Sequence, residues 1–243
     1  MNTQQYDRIG ARFEESKSTA AFSAADTHSL LLEIGDVQGL ACLDLACGYG
    51  FNTRLLAERG ARPAMGVDIS PEMIRLARRH ERERPLGTEY VVADVAAMPV
   101  LGDFDLATAV YLFNYAPART ALRAMFERIR ANLTPTGRLV AIVPNQCPFP
   151  DANWDAFDVT VRERVPGGDA PLLKAAFLTE PPTPYEFYEW QHPDLERAAR
   201  AAGFTSVAWR PITTPPADEH HDEALWTAYR ATPVSSVLIC ATG

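Results

Sequence analysis

Between residues 41 and 144 short apolar runs alternate with stretches in which apolar side chains recur every three or four positions. The runs at 41–46, 63–68, 89–93, 104–110 and 138–144 have the length and branching of buried strands. Between them Met73, Ile74, Leu76 and Ala77, and later Leu122, Met125, Phe126 and Ile129, fall on single helical faces. Ser70 and Pro71 suit the start of the first of these helices, and Pro135-Thr136-Gly137 reads as a turn leading into the fifth strand. Strands interleaved with helices predict right-handed crossovers and a parallel sheet. A helix over 194–202 ending at Gly203, and two more strand-like runs at 205–210 and 235–241, bring the expected sheet to about seven strands. The whole chain, 1–243, then reads as one α/β domain, a mostly parallel sheet flanked by helices.

Two stretches depart from this alternation. Tyr6, Ile9 and Phe13 recur at helical spacing ahead of a second helical run ending at Ile34, so residues 1–34 are expected to form a helical lid whose Tyr6 or Phe13 reaches the ligand. Residues 145–193 form an aromatic- and proline-rich insertion after strand five, expected to cover the substrate. Within it, 174–190 reads as two strands joined by a proline-rich turn, with Tyr185 and Phe187 on one face and Tyr188 and Trp190 on the other. One such face can wall a pocket for a planar ring. Trp226, near the C-terminus, is a further candidate for that wall, with Tyr229 beside it.

Composition excludes several classes of partner. A net charge of −8 opposes a nucleic-acid substrate, and the basic run Arg75 to Arg84 is interleaved with Glu72, Glu81 and Glu83 on one helix. The four cysteines lack metal or disulfide spacing, and no charged leader or apolar run of membrane-spanning length is present, so a cytoplasmic protein acting on a small molecule is expected. Asp218-Glu219-His220-His221-Asp222-Glu223 has metal-ligand residue types, but adjacent acids in a loop are ordinarily solvated, and no metal is expected.

The chemistry concentrates at Leu43-Asp44-Leu45-Ala46-Cys47-Gly48-Tyr49-Gly50-Phe51, a buried strand, a glycine turn and a helix start. Glycines at 48 and 50 let a ligand approach the main chain, and the free N–H groups of the helix start face it. A dinucleotide site wants G-x-G-x-x-G, whose third glycine is here Thr53, which disfavours a nicotinamide-dependent oxidoreductase. Asp68 ends the second strand 18 residues past Gly50, where a carboxylate can accept from the vicinal hydroxyls of a ribose. Asp94, at the end of the third, could accept from an adenine amino group while the N–H of Val95 donates to a ring nitrogen. Beyond strand four, Asn114 and Tyr115 should border the reacting atoms.

The sequence D-x-A-C-G-x-G resembles the first motif of the class I S-adenosylmethionine-dependent methyltransferases, and the likeness runs nearly end to end. More narrowly the chain resembles the azapteridine N-methyltransferases of the toxoflavin synthase type. That likeness rests on Tyr6-Asp7-Arg8-Ile9-Gly10, Gly66 to Ser70, Leu112 to Ala116, Pro181-Pro182 with Phe187, Tyr188 and Trp190, and Ala202-Gly203-Phe204. The resemblance implies a Rossmann-like fold, with S-adenosylmethionine as cofactor and S-adenosylhomocysteine as its product. It implies that Ala46, Gly48 and Gly50 cradle the methionine end, that Asp68 holds the ribose, and that Asp94 with Val95 meets the adenine. The candidate cofactor set is Tyr6, Ala46, Cys47, Gly48, Gly50, Asn52, Asp68, Ile69, Met73, Asp94, Val95 and Tyr111. The candidate substrate set is Phe13, Asn114, Tyr115, Tyr185, Phe187, Tyr188, Trp190 and Trp226. Methyl transfer needs alignment and exclusion of water more than acid–base help, with Asn114, Tyr115 and Tyr6 the residues that could assist. His192 is the histidine nearest the expected wall and none lies in the motif loops, which favours a planar nitrogen acceptor. An O- or C-methyltransferase using His192 or Tyr6 as base, and a non-catalytic cofactor-binding module, are the alternatives.

Overall fold

The computed structural model describes Ala20–Thr242. The chain runs α1 (Ala21–Ile34), β1 (Cys42–Leu45), α2 (Phe51–Glu58), β2 (Ala64–Asp68), α3 (Pro71–Glu83), β3 (Thr88–Val92), β4 (Phe104–Val110), α4 (Arg119–Ala131), β5 (Leu133–Pro144), β6 (Val159–Val165), β7 (Leu172–Phe177), β8 (Thr183–Tyr188), α5 (His192–Ala201), β9 (Ser206–Pro211), α6 (Glu223–Ala231) and β10 (Ser235–Ala241). Seven strands form one sheet in the order β3-β2-β1-β4-β5-β10-β9, and only β10 runs against its neighbours. This is the Rossmann-like α/β fold expected from the strand–helix alternation.

The pleat divides the core in two. Cys42, Leu106, Val140, Ile142 and Val237 pack with α1, α6 and the insertion on one side of the sheet. Leu43, Leu45, Ala107, Ala109, Leu139, Ala141 and Val143 pack with α4 and α5 on the other. Strands buried on both sides read as continuous apolar runs, which is why the sequence pattern shows them clearly. Between β1 and β4 the strand order reverses, opening a crevice beyond their carboxyl ends where ligands of such sheets bind.

One strand boundary is corrected. Strand five begins at Leu133 rather than Arg138, because Pro135-Thr136-Gly137 is a bulge inside the strand: Phe104 pairs with Leu133 and Leu106 with Arg138. The bulge needs glycine, since a Cβ at Gly137 would stand 2.8 Å from the Phe104 carbonyl oxygen. The two strands read within 174–190 are β7 and β8, and the insertion adds a third that the sequence did not show, β6, in the antiparallel order β6-β7-β8. Its first strand contains Arg162-Glu163-Arg164 and a register shift between Val161 and Glu163, which break the apolar alternation. Of the 1–34 segment, the described helix α1 is docked on the domain: the Arg138 guanidinium donates to the Glu33 and Ile34 carbonyls at 2.9 and 2.6 Å, and Ser29 Oγ donates to the Thr213 carbonyl at 2.9 Å. Tyr6 and Phe13 lie outside the described residues.

Candidate active site

The turn after β1 is held by its own backbone. Gly50 N–H donates to the Cys47 carbonyl at 3.0 Å, and Ala46, Gly48 and Gly50 take φ of 54°, 56° and 90°. At Gly50 the requirement is steric as well as conformational, because a Cβ would come within 2.6 Å of the Tyr90 hydroxyl. The acid before the turn is structural: Asp44 is buried and accepts from the hydroxyls of Thr53 at 2.7 Å and Thr108 at 2.8 Å. Thr53, where a dinucleotide motif would have glycine, thereby locks α2 onto β1.

Asp68 faces the other way, into the crevice. Its Oδ2 accepts from Gly48 N–H and its Oδ1 from Ser70 N–H, both at 2.8 Å, so the turn and the α3 start fix the carboxylate plane together. A carboxylate oxygen can accept more than one hydrogen bond, so a ligand's hydroxyls can still approach it. Ser70 caps α3, its Oγ accepting from Met73 N–H at 3.2 Å.

A cavity of about 310 Å³ runs from this turn, past the end of β4, to the three-stranded sheet. Of the candidate cofactor residues it brings together Ala46, Cys47, Gly48, Asn52, Asp68, Ile69, Met73, Val95 and Tyr111, and of the candidate substrate residues Asn114, Tyr115, Tyr185, Phe187 and Tyr188. Gly50 stands just behind the wall. Asp94 is outside it, its Oδ1 accepting from Ala96 N–H at 2.9 Å in a turn of its own, while Ala93 and Val95 line the cavity. Trp190 is buried core, its indole N–H donating to the Ala116 carbonyl at 3.0 Å. Trp226 is also core, stacked on His221 at 5.0 Å with Tyr229 edge-on at 6.0 Å. Neither tryptophan belongs to the cavity wall. His192, too, is away from it, stacked at 3.6 Å on Trp209.

Several wall residues are not among the candidates drawn from the sequence. Phe22 of α1, Trp154 ahead of β6 and Phe177 of β7 join the wall, as does Glu186. With them a column of rings forms: Tyr111 meets Phe22 edge-on at 6.3 Å, Phe22 stacks on Phe177 at 6.1 Å, Phe177 on Tyr185 at 4.2 Å, and Tyr185 lies 5.7 Å from Phe187. The side-chain oxygen of Asn114, a residue only 4% exposed, has no hydrogen-bond partner.

Among the described residues the wall contains no lysine, arginine or histidine, and its carboxylates are Asp68 and Glu186. Burial pushes the Tyr185 phenol well above its ordinary range. Burial, and then the Asp26 carboxylate to which it donates at 2.6 Å, does the same to Tyr111. Both phenols therefore stay protonated near neutral pH. Burial, then the neighbouring Asp68, likewise holds Cys47 as a neutral thiol rather than a nucleophile.

Residues 42–137 match the methyltransferase domain family. The chain is 32% identical over 184 residues to N-demethylindolmycin N-methyltransferase of Streptomyces griseus, spanning 72% of this chain and 74% of that one. It is 31% identical to demethylmenaquinone methyltransferase of Thermus thermophilus over 70% of this chain and 76% of the relative. The chain belongs to the class I S-adenosylmethionine-dependent methyltransferases. In fold the methyltransferase is similar to the S-adenosylmethionine-dependent methyltransferase of Mesorhizobium loti, with a TM-score of 0.63 at 20% identity, covering 90% of this chain and 98% of that one. The site suits the cofactor: a turn without side chains, a strand-end carboxylate already oriented by two N–H groups, and apolar walls beyond it.

Proposed function

We propose that this methyltransferase methylates a ring nitrogen of a small, planar, uncharged heteroaromatic metabolite of the azapteridine kind, as a tailoring step in secondary metabolism. The observation that carries the reading is the acceptor end of the cavity: stacked rings, no cationic side chain or histidine among the described residues, and Tyr111 and Tyr185 held protonated. Stacked rings favour a flat ligand. With no cation among the described wall residues, an anionic acceptor would be desolvated without a compensating partner from them. A ring nitrogen brings its own lone pair, so no group has to remove a proton before attack. The N-methyltransferase named among the relatives supports the same class of acceptor atom.

In this reading the residues position rather than react. Ala46, Gly48 and Gly50 receive the methionine end of the cofactor, Asp68 accepts from its ribose hydroxyls, and the Ala93–Val95 segment borders its adenine. Asn52, Ile69 and Met73 fill the space around these groups. When bound, S-adenosylmethionine supplies an electrophilic methyl carbon. Asn114, whose side-chain oxygen lacks a partner, bonds the acceptor ring and turns the reacting nitrogen toward that carbon, while Tyr115 and the ring column exclude water.

Glu186 supports a second reading, O- or C-methylation of an aromatic acceptor with this carboxylate as base, in keeping with the quinone-pathway relative. The experiment that separates the two incubates purified protein with S-adenosylmethionine and desmethyl azapteridines, purines and phenols, followed by mass spectrometry. An azapteridine heavier by one methylene, formed at an unchanged rate by Glu186→Gln, is the expected result. Phenol products lost in Glu186→Gln would establish the second reading instead.

A further inference from the structure

Trp154 sits in the insertion just ahead of β6 and lines the cavity. Its backbone is anchored by the preceding side chain. Asn153 Oδ1 accepts from the N–H groups of Trp154 and Val161, both at 2.9 Å, and Asn153 Nδ2 donates to the Val161 carbonyl at 2.8 Å. The asparagine thus copies a strand pair and holds the indole in place.

The indole is 1% exposed and forms part of the cavity wall, yet its Nε1–H has no hydrogen-bond partner. A buried donor left in this state costs roughly 1–3 kcal/mol, and native cores seldom tolerate it without cause. Trp226 Nε1 is also orphaned, but it lies outside the wall. Trp154 Nε1 and Asn114 Oδ1 are orphans on residues that border the cavity.

The two atoms are complementary in kind. An indole nitrogen can only donate, whereas an amide oxygen can only accept. We infer that Trp154 is a specificity-determining residue that donates its indole N–H to a carbonyl oxygen of the acceptor, so that the substrate is a neutral ring carrying both a carbonyl and an N–H for Asn114, as lactam-type heterocycles do. This inference rests on the small-heteroaromatic reading above and narrows it: a flat hydrocarbon or simple phenol would leave the indole N–H unmatched. The ring column supplies affinity for any flat molecule, and the two polar atoms choose among them and set which edge faces the methyl donor.

The test is calorimetric and needs no turnover. The full chain, saturated with S-adenosylhomocysteine, is titrated with lumazine, a neutral two-ring dione, and with quinoxaline, a two-ring system of similar size that has ring nitrogens but neither a carbonyl nor an N–H. Lumazine is expected to bind wild type at least tenfold more tightly than quinoxaline. Trp154→Phe is expected to weaken lumazine about tenfold, the size of one lost hydrogen bond, while leaving quinoxaline and S-adenosylhomocysteine affinities and the melting temperature nearly unchanged. Equal weakening of both probes by Trp154→Phe would mark the tryptophan as packing only and overturn the inference. So would no weakening at all, or a wild type that fails to prefer lumazine; this last comparison stands even if the variant does not fold. Failure of the N-methylation reading looks different: the lumazine preference persists while methylated products carry the group on oxygen or carbon.

Discussion

The two ends of the cavity satisfy their polar groups in opposite ways. At the glycine turn both oxygens of Asp68 and both oxygens of Asp44 are already bonded within the chain. At the three-stranded sheet, the Asn114 oxygen and the Trp154 indole N–H have no partner in the protein, and rings make up most of the wall. The first end is preorganised for a ligand of fixed shape, so little has to reorient on binding. The second leaves its polar atoms for the ligand to satisfy, which lets a hydrogen-bond mismatch penalise the wrong molecule. The glycine-turn end is shaped mainly by backbone and the three-stranded-sheet end by side chains.

The sharpest break in that contrast is Asp68→Ala. If Asp68 accepts from ribose hydroxyls as proposed, with charge-assisted bonds of roughly 1.5–3 kcal/mol each, its removal should weaken S-adenosylhomocysteine about 100-fold or more by calorimetry. Unchanged affinity would remove the ribose assignment. Next comes Gly50→Ala, which puts a side chain at φ 90° and a Cβ within 2.6 Å of the buried Tyr90 hydroxyl. A cost of about 1–3 kcal/mol should lower the melting temperature by roughly 3–9 °C, measured by calorimetric scanning. A variant as stable as wild type would show that the turn has room to relax.

Asn114→Ala probes the other end. It deletes a buried amide whose oxygen has no partner in the free protein, so stability should hardly fall, while kcat/KM for the acceptor drops about tenfold or more and cofactor affinity holds. Equal losses in acceptor and cofactor binding would mean that the two ends are not separable. The smallest effect is expected far from the cavity, at His192. Burial lowers its pKa from the ordinary 6.5, and Glu196 only partly offsets this. A histidine whose folded pKa is depressed contributes stability above its unfolded pKa and loses it as pH falls. The melting-temperature difference between wild type and His192→Gln should therefore shrink from pH 7.5 to about pH 5, and a difference that grows on acidification would reverse the assignment.

What the sequence made legible follows the same division. The strand runs, the glycine turn and Asp68 were readable because each depends on local chemistry: double-sided burial, positive φ, and a carboxylate at a strand end. The start of β5 was hidden because a bulge and a turn share Pro, Thr and Gly. β6 was hidden because Arg162, Glu163 and Arg164 interrupt its alternation. The acceptor wall was the least legible. Alternation along β8 predicts two faces but not which neighbours meet them, so Trp190, two residues past the strand end, reads as wall yet turns back to bond the Ala116 carbonyl. Phe22 and Trp154 reach the cavity only through tertiary packing, from α1 and from the insertion.

The central claim is that methyl is transferred to a ring nitrogen of a neutral planar heterocycle. Its most direct test is turnover with S-adenosylmethionine carrying a carbon-13 methyl group, with the product read by two-dimensional NMR. The account predicts a single labelled methyl whose correlations place it on a ring nitrogen of an azapteridine. A labelled methyl on oxygen or carbon, or no consumption of any heterocycle by protein that binds the cofactor, would contradict it.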